Sequence, residues 1–214
     1  MILPYLDHSP VFNACNFDLA VHHAANSTVG GGLLNVFVCP TDIKAGYFDA
    51  TDESGVVLAR LLATNSYAAN FGAWADSEFP DRSNGLFYRN SSIRIREIVD
   101  GTSSTFAVGE RPAALTQAPW VGAVPFASVR VTPGAPVYSA EEEDPATHAL
   151  AHVAAYPLLD VESGPADFFS MHAVGAHFLM ADGSVRFIKS TTSLHVLQAL
   201  ATRAGSEPLD GTDY

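Results

Sequence analysis

The sequence predicts an α+β fold in which an antiparallel sheet of short strands packs against helices. The clearest signal lies near the C-terminus, where two runs rich in apolar, β-branched and aromatic residues, 176–181 (AHFLMA) and 184–189 (SVRFIK), flank Asp182 and Gly183. Asp-Gly between two such runs is the strongest short-range signal for a β-hairpin, and it favours a type I′ turn with positive φ at both central residues. Because both faces of these strands carry apolar side chains, we expect them to be central strands covered by a helix.

The covering helix is predicted from the segment 192–205 (TSLHVLQALATRAG). Ser193 is a suitable N-cap, and Gly205 is a suitable C-cap after Arg203 in the last turn. The apolar positions recur at helical spacing on one side of this segment, as expected for a helix that packs on a sheet. These positions are Leu194, Leu197, Leu200 and Ala201.

Shorter elements are predicted earlier in the chain. Ser9-Pro10 is typical of a helix start, with serine as N-cap and proline in the first turn. Ser92 caps a short helix whose Ile95, Ile98 and Val99 are expected to point inward. Residues 44–62 are interpreted as a surface excursion. The predicted strands, bounded by proline and glycine, are 34–38, segments near 63 and 86, 105–108, 120–124 and 128–132.

The whole chain, 1–214, is interpreted as one domain with an insertion at about 135–160. Within the insertion, Asp144 and Pro145 mark the start of an alanine-rich helix that ends before Pro157. The acidic end of the chain, 205–214, is expected to be loose.

Composition excludes several classes of function. Of the 214 residues, 48% are hydrophobic and 16% are charged, which is typical of a globular protein, and the formal charge is −12. Such an acidic chain is a poor partner for nucleic acid or for an anionic membrane, since both are polyanions. There is no run of eighteen apolar residues and no secretory leader pattern. The start, MILPYL, has the pattern of a helix entered part-way.

Two cysteines, Cys15 and Cys39, leave two alternatives open. They could form one disulfide in an oxidising compartment, or they could be two buried free thiols.

His172, His177 and Asp182 stand five residues apart and suggest either a cation site or a polar clamp on the hairpin. Side chains alternate along a strand, so His172 and His177 are expected to point to opposite faces unless a bulge intervenes. A shared zinc ion is therefore disfavoured. Turn chemistry explains Asp182, and a hydrogen-bonded buried imidazole explains His172.

Two further groups are candidate metal ligands. Asp100, Thr102 and Glu110 offer oxygen ligands for Ca²⁺, although helix termination and turn hydrogen bonds explain this region more simply. His148 and His152 are four residues apart, which would suit zinc if they shared a helix face, but no HExxH pattern accompanies them. The simpler interpretation is an ordinary surface helix.

A nucleophilic enzyme is disfavoured because the sequence has no GxSxG element. A set of aromatic residues could line a sugar-binding surface, but core and loop positions are the more common role for such residues. These residues are Tyr67, Phe71, Trp74, Phe87, Tyr88 and Trp120.

Five segments, taken in order, resemble one bacterial family. They are LPYLDHSPVFNACNF, NVFVCPTD, ATNSYAAN, NGLFYRNSSIRIREIVDGTSSTFAVGERP, and the H-x9-DG element formed by His172, Asp182 and Gly183. Together they are similar to the H-x9-DG prepilin-processing-associated, pilin-like proteins, a domain of unknown function that is also filed by name among solute-binding proteins. The resemblance runs from about residue 3 to residue 204.

The resemblance implies a non-enzymatic, extracytoplasmic subunit that acts by assembly and display. Its expected partners are other pilin-like subunits or the secretion or pilus machinery, and the membrane is reached only through an N-terminal apolar helix that this sequence does not contain. No cofactor is expected apart from Ca²⁺, which some pseudopilins bind. A small-solute or carbohydrate-binding module is the main alternative, and a zinc hydrolase is a weaker one.

Overall fold

The computed structural model describes residues 2–73 and 81–207 of the chain, and the fold is α+β as predicted. Within these ranges the α-helices are α1 (Ser9–Ala14), α2 (Ser27–Gly30) and α3 (Leu194–Ala201). The strands are β1 (Tyr47–Thr51), β2 (Val57–Ala63), β3 (Tyr67–Gly72), β4 (Phe106–Glu110), β5 (Val129–Arg130), β6 (Glu142–Glu143), β7 (Leu150–His152), β8 (Gly175–Met180) and β9 (Val185–Lys189).

A five-stranded sheet in the order β7-β3-β4-β8-β9 forms the centre of the molecule. The pairs β3–β4, β4–β8 and β8–β9 are antiparallel, but β3 and β7 are parallel. The sheet is therefore mixed, which corrects the prediction of an antiparallel sheet. The parallel pair arises because a connection of more than seventy residues brings the chain back to the free edge of β3.

Two small sheets lie outside the central one. β1 pairs with β2, and β5 pairs with β6, both antiparallel. The β1–β2 hairpin occupies the segment that was interpreted as a surface excursion, and it has its own core, in which Ala50, Leu62 and Val124 are buried together. The sequence predicts a strand only near residue 63, at the end of β2, because a register shift and the exposed Leu61 interrupt the alternation of apolar residues before it.

The main core lies between α3 and one face of the central sheet. Ser193 caps α3 by accepting a hydrogen bond from Val196 N, as predicted, and Leu197 and Leu200 are fully buried. Below them Phe106 and Phe178 stack with ring centroids 4.0 Å apart. The helix ends at Ala201 with Thr202 as C-cap, three residues before the predicted glycine, so the end was placed too late.

Asn70 ties three elements of this core together. Its side-chain amide donates hydrogen bonds to Phe106 O and to Ala201 O, and its side-chain oxygen accepts one from Gly72 N. The residue is fully buried, so these bonds supply the partners that a buried amide needs. They fix α3 against β3 and β4.

The predicted hairpin is confirmed as β8 and β9, with Leu179 opposite Val185. Its turn differs from the predicted type I′. Gly183 has φ 88°, whereas Asp182 is not among the residues with positive φ. Gly183 N donates to Met180 O and Met180 N donates to Ser184 O, the pattern of a three-residue loop with a left-handed glycine.

The prediction of an alanine-rich helix that starts at Asp144 and Pro145 and ends before Pro157 is wrong. Asp144 and Pro145 do begin a helical turn, but it is a 3₁₀ turn that ends at His148, and the chain continues directly into β7. Alanine favours a helix when a segment is considered alone. Here the backbone of 150–152 instead completes the edge of the central sheet, and this tertiary pairing overrides the local preference.

Several shorter predictions also need correction. Residues 35–37 form a 3₁₀ turn rather than a strand, and residues 120–124 and the segment near 86 form turns or irregular structure. The helix at Ser92 is reduced to a 3₁₀ turn, Ile95–Glu97, and its Ile95 and Val99 are exposed rather than buried. Helix α1 begins one residue earlier than predicted, with His8 at the N-cap position.

The face of the central sheet that points away from α3 is called here the open face. It is defined by Tyr67 and Ala69 on β3, Val108 and Glu110 on β4, His177 and Leu179 on β8, and Val185 and Phe187 on β9. Of these, Val185 is 64% exposed and Phe187 is 40% exposed. The β9 edge of this face is therefore in solvent, whereas Tyr67, Ala69 and Val108 nearer its centre are partly buried. Adjacent apolar side chains that are exposed on a sheet are typical of a contact surface. Among the helices that the structure describes, none is long and apolar enough to span a bilayer.

A buried carboxylate cluster on the open face

Four side chains from separate parts of the chain meet at one end of the open face. Glu110 is the last residue of β4, His177 lies on β8, and His172 lies in the bend that precedes β8. Cys39 comes from the loop that follows the 3₁₀ turn 35–37. Glu110 is only 3% exposed, although its side chain is a carboxylate, and this makes it the centre of the cluster.

The two oxygens of Glu110 have different surroundings. Oε2 accepts hydrogen bonds from Ser170 Oγ at 2.7 Å and from His177 N at 2.9 Å. Oε1 lies 3.2 Å from His172 Nε2 and 3.4 Å from His177 Nδ1. One oxygen is therefore fixed by the fold, while the other faces two imidazoles.

Cys39 completes the cluster. Its Sγ lies 3.6 Å from Glu110 Oε1, 3.7 Å from His172 Nε2 and 3.1 Å from Thr41 Oγ1. The ligand atoms of Cys39, Glu110 and His172 all lie within 4.8 Å of one another. A thiol, a carboxylate and an imidazole are thus gathered around one point.

The prediction that His172 and His177 point to opposite faces is wrong. Their ring centroids are 5.0 Å apart, and both rings approach Glu110. The alternation rule fails because the strand begins only at Gly175, so His172 belongs to a bend. His172 N donates to Ser170 Oγ, which orients this bend toward Glu110.

Asp182 and Gly183 lie at the opposite end of β8 from this cluster. The carboxylate of Asp182 accepts hydrogen bonds from Ser184 N and Ser184 Oγ, and these bonds lower the pKa of Asp182. Turn chemistry therefore explains Asp182, as predicted. The trio of His172, His177 and Asp182 is not brought together.

The candidate calcium ligands are also separated. The carboxylate of Asp100 accepts hydrogen bonds from Gly205 N and Ser206 N, which holds the chain after α3. Thr102 O accepts from Asp182 N beside the hairpin turn. Glu110 lies at the far end of β4, so the three residues form no common site. Residues 205 and 206 are held in this way, whereas 208–214 of the predicted loose tail lie outside the described residues.

His148 and His152 do not share a helix face either. His148 ends the 3₁₀ turn and is 1% exposed, and its Nδ1 accepts a hydrogen bond from Val124 N. Burial, and then the positive charge of Arg111, lower the pKa of His148 to about 4. His152 lies on β7, with Nε2 3.4 Å from Asp167. The proposed zinc pair is therefore wrong.

The guanidinium of Arg111, the residue after β4, is the charge nearest to His148. It donates to the carbonyl oxygens of Leu150, Pro165 and His148 and is 1% exposed. Burial lowers the pKa of Arg111 to about 9, and the charge of Asp167 acts in the opposite direction. This residue joins β4 to the chain around β7 and has a structural role.

The two cysteines are free thiols, so the alternative of a Cys15–Cys39 disulfide does not hold in this structure. Cys15 is half-buried, its Sγ donates to Val11 O, and burial raises its pKa. Cys39 is buried beside Glu110 and His172 instead.

A cavity of about 570 Å³ opens beside the cluster and is lined by Tyr67, Val108, Leu179 and Val185 as well as by the four cluster residues. Burial is the main cause of a raised pKa of Tyr67, and negative charge at Cys39 and Glu110 adds to it. Other aromatic residues of the suggested sugar surface are dispersed. Phe71 is buried, Trp120 stacks on Phe37, and Trp74 lies outside the described residues.

Taken from the sequence alone, three of the cluster residues have unrelated predicted roles. Glu110 is a candidate calcium ligand, Cys39 a candidate disulfide partner and His172 part of the hairpin motif. One local feature does point to the cluster: the apolar strand FAVGE ends in a glutamate. A carboxylate buried in this way needs polar partners. The identity of those partners depends on chain crossings that separate Cys39 from His172 by 133 residues.

These observations define the class of protein. It is an α+β domain with a mixed sheet, an apolar open face and a cluster of one thiol, one carboxylate and one imidazole. Residues 1–195 match the profile of the family SBP_bac_10, described as "Protein of unknown function (DUF1559)", and the chain belongs to this family. Comparison with curated proteins and with solved structures gave no match.

Proposed function

We propose that the protein is a non-enzymatic, extracytoplasmic pilin-like surface subunit that acts by assembly and display. The open face of the central sheet is the observation that carries this proposal. One face of the sheet packs against α3, whereas on the opposite face the apolar side chains of Val185 and Phe187 on β9 are exposed. A face of this composition is stabilised when another apolar element covers it.

The contact is proposed to centre on β8 and β9. Val185 and Phe187 lie side by side with Leu179 and His177 of the neighbouring strand. Removing an apolar side chain from water contributes about 25 cal/mol per Å² of buried surface, so a patch of several such residues is a substantial source of binding free energy. The partner that fits is an apolar helix or strand of another pilin-like subunit or of the secretion or pilus machinery.

The acidic charge of the chain fits the outward surface of such a subunit. The formal charge of −12 favours solubility and disfavours nonspecific contact with nucleic acid or anionic lipid. Assembly and display require a rigid domain with a contact face and no chemical step.

Site-specific crosslinking in the native host tests this proposal. A photoreactive amino acid is placed at Phe187 on the open face, and at Ile95 as a matched control. Ile95 is also an exposed apolar residue but lies outside the sheet. We expect Phe187 to form crosslinks to pilin-like or secretion subunits in intact cells, with the protein accessible to an external protease, and Ile95 to form none. Identical products at both positions, or a chain protected inside the cytoplasm, would refute the proposal.

A second candidate function is supported by a different observation. A cavity of about 690 Å³ lies between the N-terminal segment and the open face, and apolar residues such as Leu3, Phe17 and Leu179 line it. Its size lies in the range of small-molecule sites, roughly 300–1,000 Å³. A small-solute-binding module would show saturable binding of an apolar or carbohydrate ligand, with a rise in melting temperature that a Leu179→Asp substitution abolishes.

A further inference from the structure

We propose that Cys39, Glu110 and His172 form a binding site for Zn²⁺. The ligand atoms are Cys39 Sγ, Glu110 Oε1 and His172 Nε2. This site is independent of the assembly role proposed above, because it is argued from the cluster alone.

The distances between the three atoms match the edges of a zinc tetrahedron. With Zn–S of about 2.3 Å and Zn–N and Zn–O of about 2.0 Å, tetrahedral angles require about 3.5 Å both for S to O and for S to N, and about 3.3 Å for N to O. The corresponding distances in the structure are 3.6, 3.7 and 3.2 Å. An ion at the centre of these atoms would reach all three without movement of the backbone.

The imidazole–carboxylate distances are long for charge-assisted hydrogen bonds. A charge-assisted hydrogen bond between an imidazole and a carboxylate is typically about 2.7–2.9 Å long. Both imidazoles lie farther than this from Glu110 Oε1, at 3.2 and 3.4 Å. Cys39 and His172 therefore approach Glu110 Oε1 at the spacing expected of ligands that share an ion with it.

The surroundings of the cluster orient its ligands. Ser170 Oγ and His177 N occupy Oε2 of Glu110, which leaves Oε1 as the single oxygen that faces the site. Ser170 Oγ also accepts a hydrogen bond from His172 N, and Thr41 Oγ1 lies 3.1 Å from the sulfur. Such outer contacts fix the positions of the ligating groups, as they do in established metal sites.

The charges of the set balance a divalent ion. Zinc binding displaces the thiol proton of Cys39 to solvent, and His172 binds as neutral imidazole, so one thiolate and one carboxylate neutralise Zn²⁺. Neutrality matters because Cys39 and Glu110 are buried, and an uncompensated charge there would be costly. A sulfur, nitrogen and oxygen set favours Zn²⁺ over Ca²⁺ or Mg²⁺, which prefer oxygen ligands only.

The fourth position of the tetrahedron is assigned to solvent. Solvent can reach it because all three ligands line the cavity of about 570 Å³ on the open face, as does His177. Three protein ligands with one open position are typical of zinc sites that can exchange a small ligand.

The experiment is a Zn²⁺ titration of the purified full chain against a chromophoric chelator, repeated with Co²⁺. We expect one ion per chain, a thiolate-to-cobalt charge-transfer band and the intense visible bands of tetrahedral cobalt. Cys39→Ser, Glu110→Gln and His172→Ala should each weaken binding by roughly tenfold or more, since each removes a direct ligand. His177→Gln should weaken it by less than that.

Matched controls are Cys15→Ser, for the other thiol, and His195→Ala, for an exposed imidazole on α3. Both should bind Zn²⁺ as the wild type does. Circular dichroism of every variant in the presence of a chelator separates loss of a ligand from loss of the fold. Unchanged binding in folded Cys39→Ser and His172→Ala would overturn the proposal. A His177→Gln loss as large as that of His172→Ala would overturn the solvent assignment of the fourth position.

Discussion

The buried His148 is expected to make the protein less stable as the pH falls below neutral, because the fold keeps its imidazole neutral. The His148→Asn variant tests this. The imidazole is 1% exposed, and its Nδ1 accepts a hydrogen bond from Val124 N at 3.3 Å. Only the neutral ring can accept this bond. Burial, followed by the nearby charge of Arg111, lowers the pKa of His148 to about 4.

The size of the effect follows from this pKa and that of an unfolded histidine, 6.5. Between the two values the unfolded chain binds a proton that the native protein does not bind, so the free energy of unfolding falls as the pH falls. One pKa unit corresponds to about 1.4 kcal/mol, so the total loss between pH 6.5 and pH 4 is about 3 kcal/mol. Above pH 6.5 the residue is neutral in both states, and the contribution is constant.

Urea unfolding of wild type and His148→Asn, from pH 7.5 to pH 4.5 with a chelator present, measures this contribution. The asparagine Oδ1 replaces Nδ1 as the acceptor for Val124 N and has no titrating proton. The free energy of unfolding of the wild type should fall more steeply than that of the variant below pH 6.5, because other titrating groups contribute equally to both. Parallel curves across the whole range would show that His148 is not held neutral by the fold.

Three substitutions test the packing described above, each measured by urea unfolding at pH 7.5. Gly109→Ala should lower the free energy of unfolding by about 1–3 kcal/mol, because a Cβ there would lie 2.5 Å from the Phe178 ring and 2.6 Å from the Phe168 ring. Unchanged stability would contradict this packing. Asn70→Ala should lower the free energy of unfolding by about 2–4 kcal/mol, because three hydrogen bonds are lost. A decrease below about 1 kcal/mol, the contribution of one neutral hydrogen bond, would contradict its bridging role. Asp42→Asn should cost about 2–3 kcal/mol, since the buried carboxylate accepts from Ser66 Oγ, Ala113 N and Ala114 N. The exposed Asp49→Asn is its control and should cost less than about 1 kcal/mol; equal losses would contradict the assignment.

Local patterns predicted the hairpin and α3 because each is specified by residues close in sequence. The apolar runs of β8 and β9 meet across Asp182 and Gly183, and Ser193 caps the helix that covers them. These patterns depend on backbone preference and on side-chain period alone. They do not specify the type of turn, because Asp-Gly is compatible both with the predicted type I′ turn and with the observed three-residue loop.

Patterns that depend on distant partners were misinterpreted. The alanines around His148 favour a helix locally, but hydrogen bonds between β3 and β7 form a strand there. His172 was judged by strand alternation, although the strand begins three residues after it. In both cases a long-range contact decided a local conformation.

The sequence by itself determined the fold class, the C-terminal hairpin, the capped helix α3 and the acidic, globular character of this protein. Only the tertiary structure decided that the sheet is mixed, that one apolar face is left open and that Cys39, Glu110 and His172 meet. The physical reason is that secondary structure follows from neighbouring residues, whereas this cluster joins residues 71 and 133 positions apart. Their proximity is set by the order of strands in the sheet, which no local pattern specifies.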